Sequence, residues 1–196
     1  MKRIAKIERT TTETTVNASL NIDGTGQCEV STGIGFLDHM LELFTRHGFF
    51  DISLKAKGDL HVDFHHTVED TAIVLGRLFT EALGQKMGIT RYGTFYVPMD
   101  EALIRSVVDL SGRNYFSYNA PEGLDPIGAF SFQLMEEFFR AFAANAGMNL
   151  HIDVLKGRDA HHVAEGMFKS LARALDLATS RDVRLGDTVP STKGLL

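Results

Sequence analysis

Two stretches of the chain, "FHHTVED" at 64–70 and "AHHVAEG" at 160–166, set a pair of adjacent histidines ahead of a glutamate. On a helix, positions i and i+4 face the same side, so His65 aligns with Glu69 and His161 with Glu165. The neighbouring His66 and His162 project about 100° away. One motif can therefore reach two different metal ions. Two such motifs facing one another across a pseudo-twofold axis would build two sites, one from His65, Glu69 and His162, the other from His161, Glu165 and His66. Imidazole and carboxylate ligands without thiolate suit manganese, iron or zinc, and an octahedral preference with open positions favours manganese. A solitary histidine is usually a surface or capping residue, but here four of the eight histidines fall into two copies of one ligand pattern. The His-Glu-x-x-His order of the zinc proteases is absent.

Each site needs further ligands. His39 in "LDHML" and Glu137 in "MEEFF" precede their histidine pairs by similar intervals, and the repeat nominates them as matching fourth ligands. His151 in "NLHID" competes with Glu137 for the second place, unless strand alternation buries it in the core.

The elements that must carry these residues also come in two rounds. Val16, Ala18, Leu20 and Ile22 alternate with polar residues as in a half-buried strand, and "DGTG" at 23–26 then predicts a hairpin turn. "FLDHMLELFTRHG" has helical spacing and a cap expected at Gly48, Ile52 and Leu54 mark a short strand, and His65 to Leu83 reads as a long helix before Gly84. In the second half, "RYGTFYVPM", "EALIRSVVDL" and "RNYFSY" predict strands, and the loop "NAPEGLDPIG" leads into a helix ending at Gly147. "NLHIDVL" is then a strand and "HHVAEGMFKSLARALDLA" the closing helix. The histidine pairs lie about half the chain apart and open corresponding elements. The expected fold is α+β, an internal duplication of a strands-helix-strand-helix unit with pseudo-twofold symmetry and sheets packed against helices. Residues 1–90 form the first repeat half, 91–180 the second, and 181–196 a polar tail.

Composition limits the partners. A 196-residue chain with 44% hydrophobic and 23% charged residues can bury a sizeable core. Its net charge of -5 gives no broad attraction to nucleic acid or an anionic membrane, and leaves room for a local basic pocket. The expected partner is a small molecule. Cys28 is the only cysteine, which excludes an intramolecular disulfide and suits a reducing cytoplasm. The N-terminus has no signal-peptide core, and no run of apolar residues has membrane-spanning length.

"STGIGFLDHMLELFTRHG", "GDLHVDFHHTVEDTAIVLG", "MDEALIRSVVDLSGR", "LHIDVLKGRDAHHVAEGMFKSLARAL" and "PSTKG" together resemble the imidazoleglycerol-phosphate dehydratase family of histidine biosynthesis over nearly the whole chain. The resemblance implies conversion of imidazole glycerol phosphate to imidazole acetol phosphate and water. It also implies two Mn2+ ions per active site and a homo-oligomer of 24 subunits with active sites between subunits. The family's ligand positions fall on His39, His65, His66, Glu69, His161, His162 and Glu165. Its remaining ligand position falls on Glu137, where some members carry histidine; Phe64 stands where many relatives have aspartate.

The resemblance further nominates Glu13 in "TTTETTV" as the acid/base, and Arg91, Arg113, Ser191 and Lys193 as the phosphate site, with the tail contributing to it. By composition alone, Glu13 would be an exposed strand residue and the two arginines ordinary surface charges. Two metals suit the chemistry, because the hydrogen to be removed is not acidified by a carbonyl. Metal at each ring nitrogen would favour an imidazolate able to expel hydroxide through a fulvene-like intermediate. Two other readings keep the metals: a dinuclear hydrolase, with ions about 3.5 to 4 Å apart around a bridging hydroxide, and a non-catalytic metal-binding assembly protein. Widely spaced ions argue against the first, and the arginine set against the second.

Overall fold

The computed structural model describes residues 2–194. Its first half contains β1 (Ile4–Thr10), β2 (Thr14–Asn21), β3 (Cys28–Ser31), α1 (Gly35–Gly48), β4 (Asp51–Gly58) and α2 (His65–Leu83). The second half repeats the order as β5 (Tyr92–Met99), β6 (Ala102–Asp109), β7 (Tyr115–Asn119), α3 (Gln133–Ala146), β8 (Asn149–Lys156) and α4 (Ala160–Thr179). The sheets have matching strand orders, β1-β2-β4-β3 and β5-β6-β8-β7. In each, three strands run antiparallel to their neighbours and the short third strand pairs parallel with the fourth. This is the expected duplicated α+β fold.

Alternation decides which sheet faces are covered. Val16, Ala18 and Leu20 on β2, and Leu150, Ile152 and Val154 on β8, turn inward and are buried. Helix α2 packs on β1, β2 and β4, while α4 packs on β5, β6 and β8. The other two helices cross between halves, with α1 against α4 and α3 against α2. Aromatic side chains seal that crossing. Phe142 of α3 lies 6.1 Å from Phe44 of α1 and 5.6 Å from Phe79 of α2 between ring centroids, and Phe138 lies 5.0 Å from Phe168 of α4. The two halves therefore share one core.

The first-half topology departs from the sequence expectation. The hairpin joins β1 to β2 through residues 11–13, whereas the turn at 23–26 leads to β3, which is not a neighbour of β2. Strand β1 escaped prediction because it is an edge strand that buries only Ala5, so its apolar period is weak. Helix α1 also keeps Gly48 inside it, and Phe49 takes the left-handed conformation at φ 57°. Gly48 is required by crowding instead, since a Cβ there would lie 2.3 Å from the Phe50 ring. Gly147 does cap α3, with φ 57°.

The tail is tied down as far as it is described. Asp182 N donates to Gly88 O at 2.9 Å, Gly88 N to Thr188 O at 2.8 Å, and Arg91 Nη1 to Pro190 O at 2.9 Å. Asp182, Thr188 and Pro190 of the polar tail are thereby anchored to the segment before β5.

Candidate active site

Helix α4 begins where Asp159 accepts the backbone N–H of His162 at 3.0 Å, a side-chain cap that fixes the first turn. One turn on, the i, i+4 spacing brings His161 Nε2 to 3.1 Å from Glu165 Oε1, as the sequence predicts. The crossing of α1 over α4 brings His39 Nε2 to 3.2 Å from the same oxygen. The ligand atoms of His39, His161 and Glu165 lie within 4.8 Å of one another, and no other such group forms among the described residues. His39 thus joins the histidine motif of the opposite half.

Glu165 is prepared for a cationic neighbour. Burial pushes its carboxyl up, but Lys169, His39 and His161 outweigh this and hold it at about 2. Its second oxygen is engaged by Lys169 Nζ. Phe36, with its ring centroid 5.4 Å from that of His161, forms an apolar wall beside the group.

The pseudo-symmetric place is assembled less tightly. His65 and Glu137 line one open cavity of about 620 Å³ with Phe64, Gln133 and Arg140. Glu137 Oε2 is drawn 3.1 Å from Arg140 Nη1, and Glu69 is half-buried on the same helix as His65. His151 lies elsewhere. It sits on the sheet face opposite the helices, 5.5 Å from the Tyr115 ring, so it does not fill the core, and it does not line the cavity that holds Glu137.

Within one chain, His66 and His162 do not join these groups. His66 places Nδ1 3.0 Å from Asp59 and Nε2 3.7 Å from Glu13. His162 places Nδ1 2.7 Å from Glu101 and Nε2 3.7 Å from Asp100. Glu13 and Asp100 occupy the tips of the corresponding hairpins β1–β2 and β5–β6, so each tip presents a carboxylate to the second histidine of a pair. The His162 ring and the amides of Asp159 and Arg158 hold the Glu101 carboxyl down at about 2.

A second cavity, of about 770 Å³, brings together all four residues nominated for phosphate: Arg91, Arg113, Ser191 and Lys193. Arg91 is already committed, donating to both oxygens of Asp109 at 2.7 and 3.1 Å as well as to Pro190 O. Arg3, in the corresponding place just before β1, pairs instead with Asp23, two residues beyond the end of β2. Arg113 and Lys193 form no ion pair among the described residues and supply the cavity's uncommitted charge.

The family model for imidazoleglycerol-phosphate dehydratase matches residues 32–175. The chain is 54% identical to the imidazoleglycerol-phosphate dehydratase of Thiobacillus denitrificans over 194 residues, covering 99% of this chain and 100% of that protein. It is 52% identical to the one from Methylorubrum extorquens at the same coverage. The chain belongs to the imidazoleglycerol-phosphate dehydratase family. Solved members share its architecture. The Staphylococcus aureus enzyme superposes with a TM-score of 0.83 at 42% identity, covering 91% of this chain and 99% of that one. The Pyrococcus furiosus enzyme gives 0.83 at 34% identity, with 97% and 100% covered.

Several residues in this candidate site were not nominated from sequence. Asp59, Asp100, Glu101 and Lys169 all touch histidine-motif residues. Lys169 follows Glu165 by four positions on α4, a spacing that predicts the contact. Glu101 reaches α4 from the hairpin between β5 and β6, and only the fold reveals that contact.

Proposed function

We propose that this chain removes water from imidazole glycerol phosphate to give imidazole acetol phosphate in histidine biosynthesis. In this reading it is a cytoplasmic, manganese-dependent lyase working as a homo-oligomer of 24 subunits with active sites between subunits. The convergence of His39, His161 and Glu165 is the observation that carries the metal reading. The donor set fits manganese: two imidazole nitrogens and a carboxylate that stays ionised at neutral pH, with no thiolate. No helix among the described residues is long and apolar enough to cross a membrane.

His39, His161 and Glu165 would hold one ion, and His65, Glu69 and Glu137 the other. His66 and His162 would complete the sites from neighbouring copies. Bound at the two imidazole nitrogens of the substrate, the ions would supply the positive charge that stabilises negative charge developing on the ring. The chain's own groups perform the remaining tasks. Glu13, half-exposed at its hairpin tip and held through its backbone N–H by Thr11 Oγ1 at 3.2 Å, accepts the carbon-bound hydrogen as a proton. Hydroxide departs from the ring-attached carbon, leaving an enol. Return of a proton to that carbon, with loss of the enol proton, gives the ketone. Arg113 and Lys193 hold the phosphate dianion with Ser191, while Arg91 fixes the tail that carries Ser191 and Lys193.

Incubating the manganese-loaded protein with imidazole glycerol phosphate and detecting the keto product tests this reading. Stoichiometric formation of imidazole acetol phosphate is expected. Unchanged substrate in the presence of fully loaded protein would overturn it.

A further inference from the structure

The second histidine of each pair has a contact that His39 and His161 lack among the described residues: a carboxylate on Nδ1. Asp59 Oδ2 lies 3.0 Å from His66 Nδ1, and Glu101 Oε2 lies 2.7 Å from His162 Nδ1. These carboxylates do not correspond within the repeat. Asp59 lies in the segment between β4 and α2, whereas Glu101 belongs to the turn between β5 and β6. The same contact is built twice from different parts of the chain.

Glu101 is itself restrained. Its Oε1 accepts the backbone N–H groups of Arg158 and Asp159 at 3.1 and 2.9 Å, and Asp159 in turn caps α4 through His162 N. Turning the His162 ring would break one of the three contacts by which Glu101 joins the β5–β6 turn to the start of α4. A neutral imidazole carries its hydrogen on one nitrogen only. A carboxylate beside Nδ1 keeps the hydrogen there and leaves the lone pair of Nε2 available.

We propose that Asp59 and Glu101 are positioning residues, holding His66 and His162 in the Nδ1–H form so that Nε2 is the atom offered to a divalent cation. The cation part rests on the metal reading above. The orientation part concerns the chain alone. Removing either carboxylate frees the ring to rotate and to move its hydrogen, which weakens metal binding without deleting a ligand.

Nitrogen NMR of the histidine-labelled, metal-free full chain in mildly alkaline buffer reads the tautomer directly. The expected result is Nδ1–H at His66 and His162, lost at His162 both in Glu101→Ala and in Glu101→Gln, whose single amide oxygen stays with the N–H groups of Arg158 and Asp159 so that its NH2 faces Nδ1. Equilibrium dialysis with manganese should show affinity falling about 10- to 100-fold in Glu101→Ala and Asp59→Ala. Glu101→Gln, which keeps the backbone contacts, should lose affinity as Glu101→Ala does. A thermal melt accompanies each variant; if an alanine variant melts early, Glu101→Gln and Asp59→Asn decide. Predominant Nε2–H in the native chain, or unchanged manganese affinity in both well-folded alanine variants, would overturn the proposal. Failure of the native chain to bind manganese would instead overturn the metal reading, with the tautomer still judging the orientation part.

Discussion

His39 on α1 and His161 on α4 aim their Nε2 atoms at one oxygen, Glu165 Oε1, from 3.2 and 3.1 Å. The relationship joins the two halves of the chain, because α1 packs chiefly on α4 of the other half. A metal at this point would bind the duplicated unit across its pseudo-twofold axis. Glu165→Gln should therefore lower manganese affinity by more than the about 10- to 100-fold that a lost outer partner costs. Metal analysis after dialysis checks this. Full loading of Glu165→Gln would remove the residue from the ligand set.

Arg113→Ala should weaken substrate binding by about 1.5 to 3 kcal/mol, the usual worth of a hydrogen bond to a charged group. Lys193→Ala should act in the same direction, and both should keep their metal. Arg91→Ala should also lower the melting temperature, because Arg91 pairs with Asp109 and holds Pro190 O. Steady-state kinetics beside a thermal melt separates the three. An arginine variant that loses its metal has been assigned to the wrong part of the site.

Glu13→Gln should lower turnover by about 10² to 10⁴ while substrate affinity changes little. The amide keeps the shape and hydrogen-bonding capacity of the carboxylate but does not take up the proton. Metal content and assembly size should stay constant. Near-normal turnover in a fully metallated variant would move the proton transfer to another group.

Phe142→Ala should destabilise the chain by about 3 to 5 kcal/mol, the usual cost of emptying a buried phenylalanine site. The side chain is fully buried and contacts phenylalanines from both α1 and α2, so the loss falls on the junction between halves. Denaturant unfolding should remain one cooperative transition if the halves share one core. Two separated transitions in the native chain would contradict that single core.

The span of α2, His65–Leu83, was legible because a continuous apolar period ends at a glycine, and Gly84 caps it with φ 51°. The shared face of His161 and Glu165 was legible for the same reason, since helical geometry fixes i and i+4. Strand β1 was not, because an edge strand that buries only Ala5 leaves no strong alternation. The pairing of His39 with the opposite motif depends on α1 crossing to α4, a tertiary choice that local periodicity does not encode. Glu101 was hidden for a related reason: its histidine lies in another element, far along the chain. The four phosphate candidates were nominated only through the family resemblance, and their meeting in one cavity depends on the tail folding back through Arg91.

Metal dependence of turnover tests the account most directly. One preparation is stripped of metal with a chelator, verified by elemental analysis, assayed with imidazole glycerol phosphate, then reloaded with manganese and assayed again. Light scattering on each sample follows the assembly, which should shrink on stripping and recover on loading. The predicted result is no keto product from the stripped protein and restored product after manganese. Full turnover by the verified metal-free protein would contradict both the ligand scheme and the reaction built on it.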